Sequence, residues 1–553
     1  MQKSHLKRFA TQMRVELMGI VESKLEYLLG LNTQLLPVKY RAYREHLQML
    51  HQKSSNKEAK ESLIEEVAYT WFNRLIALRF MDANGITETP IISPSQEGGQ
   101  PDIFMRAKEG NIDPALPLDK EAFYALIDGK HTATDPENEA YSMLFVASCN
   151  AYAAIMPTMF EAIADYTELL LPDDLLSSRS VRAKVVEAMP KSDCEDVEII
   201  GWLYQFYIAE KKDAVFAKLK KNIKITPANI PAATQLFTPH WIVKYMVENS
   251  LGRLWLRNYP SSSLKSHMRY YIDQEDDTPA LKINSPQELS LFDPCCGSGH
   301  VLTYAFDLLT KIYEEQGYAT SEIPSLILEN NLFGCDIDKR AASLAYFALM
   351  MKARLYHRRF FRKNTKPKII ELQEFGSDVF KDIKNIGSLL KPADDIGFDI
   401  GIFGQISEEF TMQQQMLQGP YTCVVTNPPY MGGKGMNKAL SEFVKSRYPD
   451  SKSDLFAVFM ERGLELTCKD GYMAMITMQS WMFLSSYEKL REKLLKNYTI
   501  TTMAHLDNMV MGIAFGTAAT VFKKTKPTPQ SQAVYFKINL DDLDDNREIK
   551  ALR

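Results

Sequence analysis

Four residues, Asn427-Pro428-Pro429-Tyr430, follow the short apolar run Tyr421-Thr422-Cys423-Val424-Val425-Thr426, which reads as a strand that ends on a loop. The Asn427 side-chain oxygen and the Pro428 carbonyl are two acceptors for the hydrogens of one planar amino group, and Tyr430 is placed to stack on the ring that carries it. An amino nitrogen held between two acceptors moves toward tetrahedral geometry. Its lone pair leaves conjugation and can attack an electrophilic methyl group, which is the requirement for N-methylation. Asn-Pro also initiates ordinary turns, and a tyrosine beside it can be plain packing, so the reading depends on a second site.

That site lies upstream. Asp293-Pro294-Cys295-Cys296-Gly297-Ser298-Gly299 follows the apolar run Leu289-Ser290-Leu291-Phe292 and reads as strand, tight turn and helix. Gly297 and Gly299 permit close backbone approach to a ligand, and a helix starting near His300 aims its free amides at the turn. Asp293 argues against a phosphate there and suits an ammonium group, such as the methionine end of S-adenosylmethionine; the chain has no GxxxxGK[ST] phosphate loop. Leu332-Phe333-Gly334-Cys335-Asp336-Ile337-Asp338 reads as the next strand, with an acid where doubly wound sheets read ribose hydroxyls. Of Asp336 and Asp338, one is expected to bind ribose and the other to cap the following helix.

In this order the residues resemble the amino-methylating DNA methyltransferases of the gamma arrangement, in which a Phe-Thr-Pro element precedes the glycine loop. Here it is Gln235-Leu236-Phe237-Thr238-Pro239-His240. Within that group the likeness is to PglX, also called BrxX, the family of adenine-specific methyltransferases in BREX phage-defence systems, and it runs from Leu6 to Phe522. Val379 departs from it, standing where an aromatic is often found. The resemblance implies a Rossmann-like, mostly parallel α/β sheet with helices on both faces, preceded by an α-helical domain. It implies S-adenosylmethionine held by Phe237, Thr238, Pro239, Asp293, Pro294, Cys296, Gly297, Gly299, Asp336, Ile337 and Asp378, with Ile337 against the cofactor's adenine. Transfer falls to Asn427, Pro428, Pro429 and Tyr430. Phe515, in Gly512-Ile513-Ala514-Phe515-Gly516, would be the second wall for a target adenine flipped out of double-stranded DNA, and Phe459 packs in the core or closes the adenine pocket. No metal is implied; other BREX proteins are implied as partners.

The elements that must carry these residues are legible in outline. The chain has 553 residues, 45% hydrophobic and 24% charged, enough for two to four domains of ~100–200 residues. Before Ala233 the pattern is helical: Ile64, Val67, Trp71, Leu75 and Leu78 recur at helical spacing up to a stop at Gly85, and Ile199, Trp202, Leu203, Phe206 and Tyr207 form a core stripe rather than a base-stacking platform. Glu58-Ala59-Lys60 has the ExK spacing of a nuclease, but in a polar helical stretch it reads as a solvated face. The expected domains are a helical one over 1–232, a methyltransferase domain over 233–522 with insertions near 260–286 and 391–420, and from 523 a linker and the start of a truncated C-terminal region, with a short strand near Ala533–Phe536.

The 65 Lys and Arg against 69 Asp and Glu give a net charge of −4, so DNA must be met by a local basic surface. The densest run, Lys352 to Lys368, reads more readily as solvated surface than as a DNA contact; Gly432-Gly433-Lys434-Gly435 is the more suggestive loop, flexible enough to close over a base. Seven scattered cysteines with no CxxC pair fit a reducing cytoplasm. Tyr141–Phe160 is apolar but interrupted by Asn150 and Pro157, so it reads as a buried helix rather than a membrane span. Sequence readout needs side chains in a groove, and little chain follows Phe522. The chain therefore reads as the amino-terminal part of a longer protein or a shortened form, without site specificity of its own. Two rivals remain open: a protein-glutamine methyltransferase, whose amide substrate needs the same two acceptors, and a cofactor-binding sensor or scaffold of a defence complex.

Overall fold

The computed structural model describes residues 3–32, 34, 36, 38–53, 57–161, 166–221, 223–234, 236, 238–274, 278–376, 378–392, 407–544 and 548–550. It divides into two compact units, Met1–Glu210 and Lys211–Arg553. The first is helical. Along the helix Lys3–Gly30, Leu6, Ala10, Met13, Leu17, Val21 and Leu25 lie on one buried stripe, the i, i+3, i+4 pattern of a helix facing a core. The helices Lys57–Ala83 and Glu198–Tyr207 complete that core: the Phe72 ring lies 4.7 Å from Tyr207 and 6.3 Å from Phe9. Ile64, Val67, Trp71, Leu75 and Leu78 are all buried, and Gly85 takes φ of 61° just beyond the helix end. Trp202 and Phe206 are only half-buried and stack on each other, so the stripe is narrower than its sequence suggests. Lys60 of the ExK triplet pairs with Glu22 and Glu26 at 3.3 and 3.0 Å, in keeping with a solvated face. Among the described residues no helix is long and apolar enough to cross a membrane.

The second unit is built on one eight-stranded sheet: β1 (Leu291–Asp293), β2 (Leu332–Asp336), β3 (Lys368–Glu371), β4 (Tyr421–Thr426), β5 (Thr467–Met478), β6 (Thr499–Leu506), β7 (Thr517–Lys523) and β8 (Val534–Ile538), in the order β3-β2-β1-β4-β5-β7-β6-β8. All neighbours are parallel except that β7 runs antiparallel to β5 and β6. The fold is the α/β class expected. Strand alternation sends Phe292, Cys335, Val424, Met473 and Met475 into one apolar core with residues of the helices Leu455–Leu466 and Glu488–Asn497. On the other face a Cβ on Gly334 would meet Leu302 of the helix His300–Glu315 at 2.7 Å, so glycine there lets helix and strand close up. The strand order reverses beside β1, and a ligand crevice belongs at the carboxyl ends of the strands flanking that point.

The boundaries differ from those read off the sequence. The division falls at Glu210/Lys211 rather than at 232/233, because Val215, Ile225, Ile230 and Ala233 are buried in the core of the second unit. The expected linker at 523 does not begin there: Lys523 is the last residue of β7, buried, with its ammonium on the Thr278 hydroxyl, and β8 extends the sheet beyond β6. Of the first insertion, the described residues 260–274 and 278–286 lie outside the sheet but are held through their backbone, with Asn249 donating to Tyr270 O, Arg253 to Ile272 O and Asn258 to Leu281 O. Of the second insertion, 393–406 lie outside the described residues, whereas Glu408–Gln418 is a helix whose Met416 and Leu417 enter the core.

Gly299 is a local test of this packing. It has φ of 87°, and a Cβ would stand 3.0 Å from Cα and Cβ of Ala345. Gly299→Ala should cost about 1–3 kcal/mol of stability, whereas Gly433→Ala, where nothing lies within 4 Å and φ is not left-handed, should leave the chemical-denaturation midpoint unchanged.

Candidate active site

The carboxyl ends of β1, β2 and β4 open on a cleft, the place where open α/β sheets bind ligands. Pro294, Gly297, Asp336, Ile337, Asn427 and Pro429 line it, which unites residues more than 130 positions apart in the glycine loop, the β2 end and the Asn-Pro-Pro-Tyr loop. Parallel pairing explains the meeting. Register places Asp293 beside Gly334 and Phe292 beside Val424, so the three parallel strands end within two residues of one another and release their loops on the same side.

Asn427 is held in a single sense. Its Nδ2 donates to Leu236 O and to Thr238 Oγ1, both at 3.0 Å. A backbone carbonyl can only accept, so the amide nitrogen must face Leu236 and the oxygen must face away. That oxygen is buried and has no hydrogen-bond partner among the described residues. A buried acceptor without a donor costs stability, and Asn427 is one of the residues that line the cleft. Pro428 is buried. Tyr430 donates its hydroxyl to Ile476 O at 3.0 Å and meets the Phe456 ring edge-on at 6.1 Å, so its plane is set by β5 and by the helix Leu455–Leu466.

Of Asp336 and Asp338, the second is the helix cap. Asp338 caps the helix Lys339–Tyr356 by accepting from Arg340 N at 3.0 Å, while also reaching the cleft wall. Asp336 accepts from Gly297 N at 3.0 Å and from Asp338 N at 2.9 Å, tying the glycine turn to the β2 end and leaving further lone pairs for a ligand. Burial lifts its pKa to about 6, against the pull of those amides. Asp293 sits deeper, 2% exposed and off the cleft wall, with its carboxylate accepting from Cys295 N at 3.1 Å. Burial lifts it to about 7, opposed by the Thr426 hydroxyl and the Cys295 amide. It therefore supports the turn from beneath.

The remaining expected residues are dispersed. Of the adjacent cysteines, Cys295 reaches the cleft while Cys296 is buried, its amide donating to Cys335 O at 3.0 Å. Gly299 lies under the turn against Ala345. Thr238 acts on Asn427 instead of lining the cleft, Pro239 precedes the helix His240–Val247 as its cap, and Phe237 lies outside the described residues. Asp378 is exposed and does not line the cleft. Phe515 is 39% exposed in the loop between β6 and β7. Phe459 packs in the core, as one of its two readings has it, and also lines the cleft. Sequence reasoning missed two walls: Ile230, Pro231 and Thr234 ahead of the Phe-Thr-Pro element, and Ile386 to Leu389 after β3. Gly387, with φ of 63° and a would-be Cβ 3.3 Å from Ile337 Cγ2, was the one signal in the second.

The family description Eco57I restriction-modification methylase matches residues 330–510, a stretch that carries Asp336 and Asn427 to Tyr430. Among curated proteins the chain is 39% identical to the adenine-specific methyltransferase BrxX of Escherichia coli O9:H4 (strain HS), over 90% of this chain and 47% of that protein. The resemblance stands: the chain is similar to the BrxX and PglX adenine-specific methyltransferases. It is also 38% identical to PglX of Lacticaseibacillus casei (strain Zhang), over 85% of this chain and 44% of that one. The chain thus spans about half the length of the curated relatives it matches. Among solved structures it is similar to the type I restriction-modification methyltransferase subunit from Streptococcus thermophilus, at 13% identity and TM-score 0.42 over 98% of this chain and 89% of that one.

The buried acid at the end of β1 gives a pH signature. Its pKa is raised on folding, so between the ordinary carboxylate value near 3.9 and about 7 the native state holds a proton that the unfolded state has lost, and stability falls as pH rises through this window. Asp293→Asn lacks that proton equilibrium. The melting temperature of the variant relative to wild type should therefore climb from pH 4 to pH 8, as followed by differential scanning fluorimetry.

Proposed function

We propose that this chain is an S-adenosylmethionine-dependent DNA adenine-N6 methyltransferase. The observation that carries the reading is the pinned Asn427 amide, with a buried and unpaired oxygen, on a residue that lines the same cleft as the glycine turn and Asp336. The likeness to adenine-specific methyltransferases supports adenine as the target.

The residues present fit the cofactor. Gly297, in left-handed conformation with nothing within 4 Å of a would-be Cβ, leaves the room that a ligand at the turn needs, and Asp336 has acceptor capacity for ribose hydroxyls. Ile337, Leu455 and Phe459 supply apolar surface for a purine ring. When bound, the cofactor supplies a methyl group on a sulfonium. Asn427 Oδ1 and the Pro428 carbonyl accept the two hydrogens of the target amine and hold its lone pair toward the cleft. Tyr430, fixed through Ile476, and Phe515 flank the extruded base. Alignment of the reacting atoms carries much of the rate. The biological setting belonging to this reading is the marking of host DNA beside other proteins of a BREX-type phage-defence system, in the cytoplasm. We assign residues 1–210 as a helical amino-terminal domain and 211–553 as the methyltransferase domain.

Asn427→Ala should keep its affinity for S-adenosylmethionine by calorimetry yet lose at least a hundredfold in methyl transfer to duplex DNA, with N6-methyladenine as the wild-type product by nucleoside mass spectrometry. A cytosine product, or transfer to protein glutamine alone, would overturn the base assignment. Asp336→Ala should weaken cofactor binding by roughly ten- to hundredfold, the loss of a charge-assisted hydrogen bond of about 1.5–3 kcal/mol; unchanged affinity would remove Asp336 from the site.

A further inference from the structure

The chain as a whole is slightly acidic, yet two long stretches of it hold no acid at all. From Ala214 through Val247 it carries Lys218, Lys220, Lys221, Lys224 and Lys244 and not one Asp or Glu; from Phe410 through Ser441 it carries Lys434 and Lys438 and again no acid. The fold brings these stretches together. The Lys224 ammonium donates to Lys434 O, and Ile225 N donates to Gly435 O at 3.3 Å. On the opposite side of the loop, Gly433 N donates to Ser453 O at 3.1 Å and Met431 N to the Asp454 carboxylate at 2.9 Å. The loop after Asn-Pro-Pro-Tyr is therefore stitched on both sides, and the Asp454 carboxyl that holds it is turned inward.

Val215 and Leu219, one helical turn apart, anchor the helix Ala209–Lys220 to the core, as do Leu440 and Val444 for the helix Lys438–Arg447. That arrangement leaves Lys220, Lys221, Lys224 and Lys434 exposed. Each wall of the seam runs straight into the cleft, through Ile230 and Pro231 on one side and Asn427 on the other. Lysine runs are commonly solvated surface. Here no acid interleaves them in sequence, and they border the place where a base must leave a polyanion.

We propose that the seam of Lys220, Lys221, Lys224 and Lys434 is the track for the DNA phosphates flanking the extruded adenine. The inference rests on the DNA-methylation reading. The track positions the duplex over the cleft and adds no sequence preference, because phosphates are alike in every sequence. The run Lys352–Lys368 is a different surface: it lies where the helix Lys339–Tyr356 returns to the start of β3, at the edge of the sheet away from the cleft, and Lys352 is engaged by Asp307 at 2.7 Å.

The test is anisotropy binding of a labelled duplex pool of randomised sequence to the 553-residue chain with S-adenosylmethionine bound, across about 50–200 mM KCl. Lys220→Ala/Lys221→Ala/Lys224→Ala is compared with Arg358→Ala/Arg359→Ala/Lys366→Ala, an equal loss of charge at the far edge. The seam triple should lower the slope of log affinity against log salt by about 2–3, at about 0.9 per lost phosphate contact, and weaken binding at least tenfold at the lowest salt. The far-edge triple should change neither. Equal effects of the two triples, or none, would overturn the track while leaving the methyltransferase reading in place; a wild-type chain that binds cofactor but no duplex would remove both. Should the seam triple fail to bind cofactor and so prove misfolded, Lys434→Ala on the exposed loop decides alone, with an expected slope loss of about 1 and overturned by no change.

Discussion

The site depends on one side-chain amide held from behind. Asn427 leaves β4 with its nitrogen committed to Leu236 O and Thr238 Oγ1, and that commitment turns its oxygen away from those two partners. The holding atoms come from a segment that ends before β1 begins, so the wall ahead of the sheet and the loop after β4 must be brought together before the acceptor exists. Central strands do this work. β1 and β4 are adjacent and parallel, with Ser290 and Thr422 exchanging hydrogen bonds at their start, so the loops leaving their far ends have little freedom to part.

A second constraint is electrostatic. Two acids at the ends of neighbouring strands, Asp293 and Asp336, stand in a poorly solvated region, and burial is the largest cause that raises the proton affinity of each; Asp336 adds to it at Asp293, and Asp338 adds to it at Asp336. The backbone amides of Cys295, Gly297 and Asp338 offset part of this cost, and Gly297 donates from a left-handed conformation that a side chain would resist. The glycine turn therefore serves the acids beneath it.

Much of this was legible in the chain. β4 begins and ends where the apolar run before Asn427 does, β2 ends on the expected acid, and the helix stripes at Ile64–Leu78 are buried as spaced. These features are local: a strand shows every second residue to one face and a helix every third or fourth, so their patterns survive in sequence. What did not survive is choice between neighbours. Cys295 rather than Cys296 meets the cleft, Asp293 lies under the turn while Asp336 faces out, and Asp378 stands in solvent. Each pair is alike in residue type, and only the packing of distant elements separates its members.

Sequence alone determined which chemistry was available, since an amide, a glycine turn and an acid in this order define what can be held and where along the chain. Tertiary structure decided the rest: the direction of the Asn427 oxygen, the walls at Ile230–Thr234 and Ile386–Leu389, and the extension of the second unit back to Lys211 and forward through β8. The reason is the same throughout. Identity and spacing act within a few residues, whereas burial and hydrogen-bond partnership depend on which segments the sheet brings together.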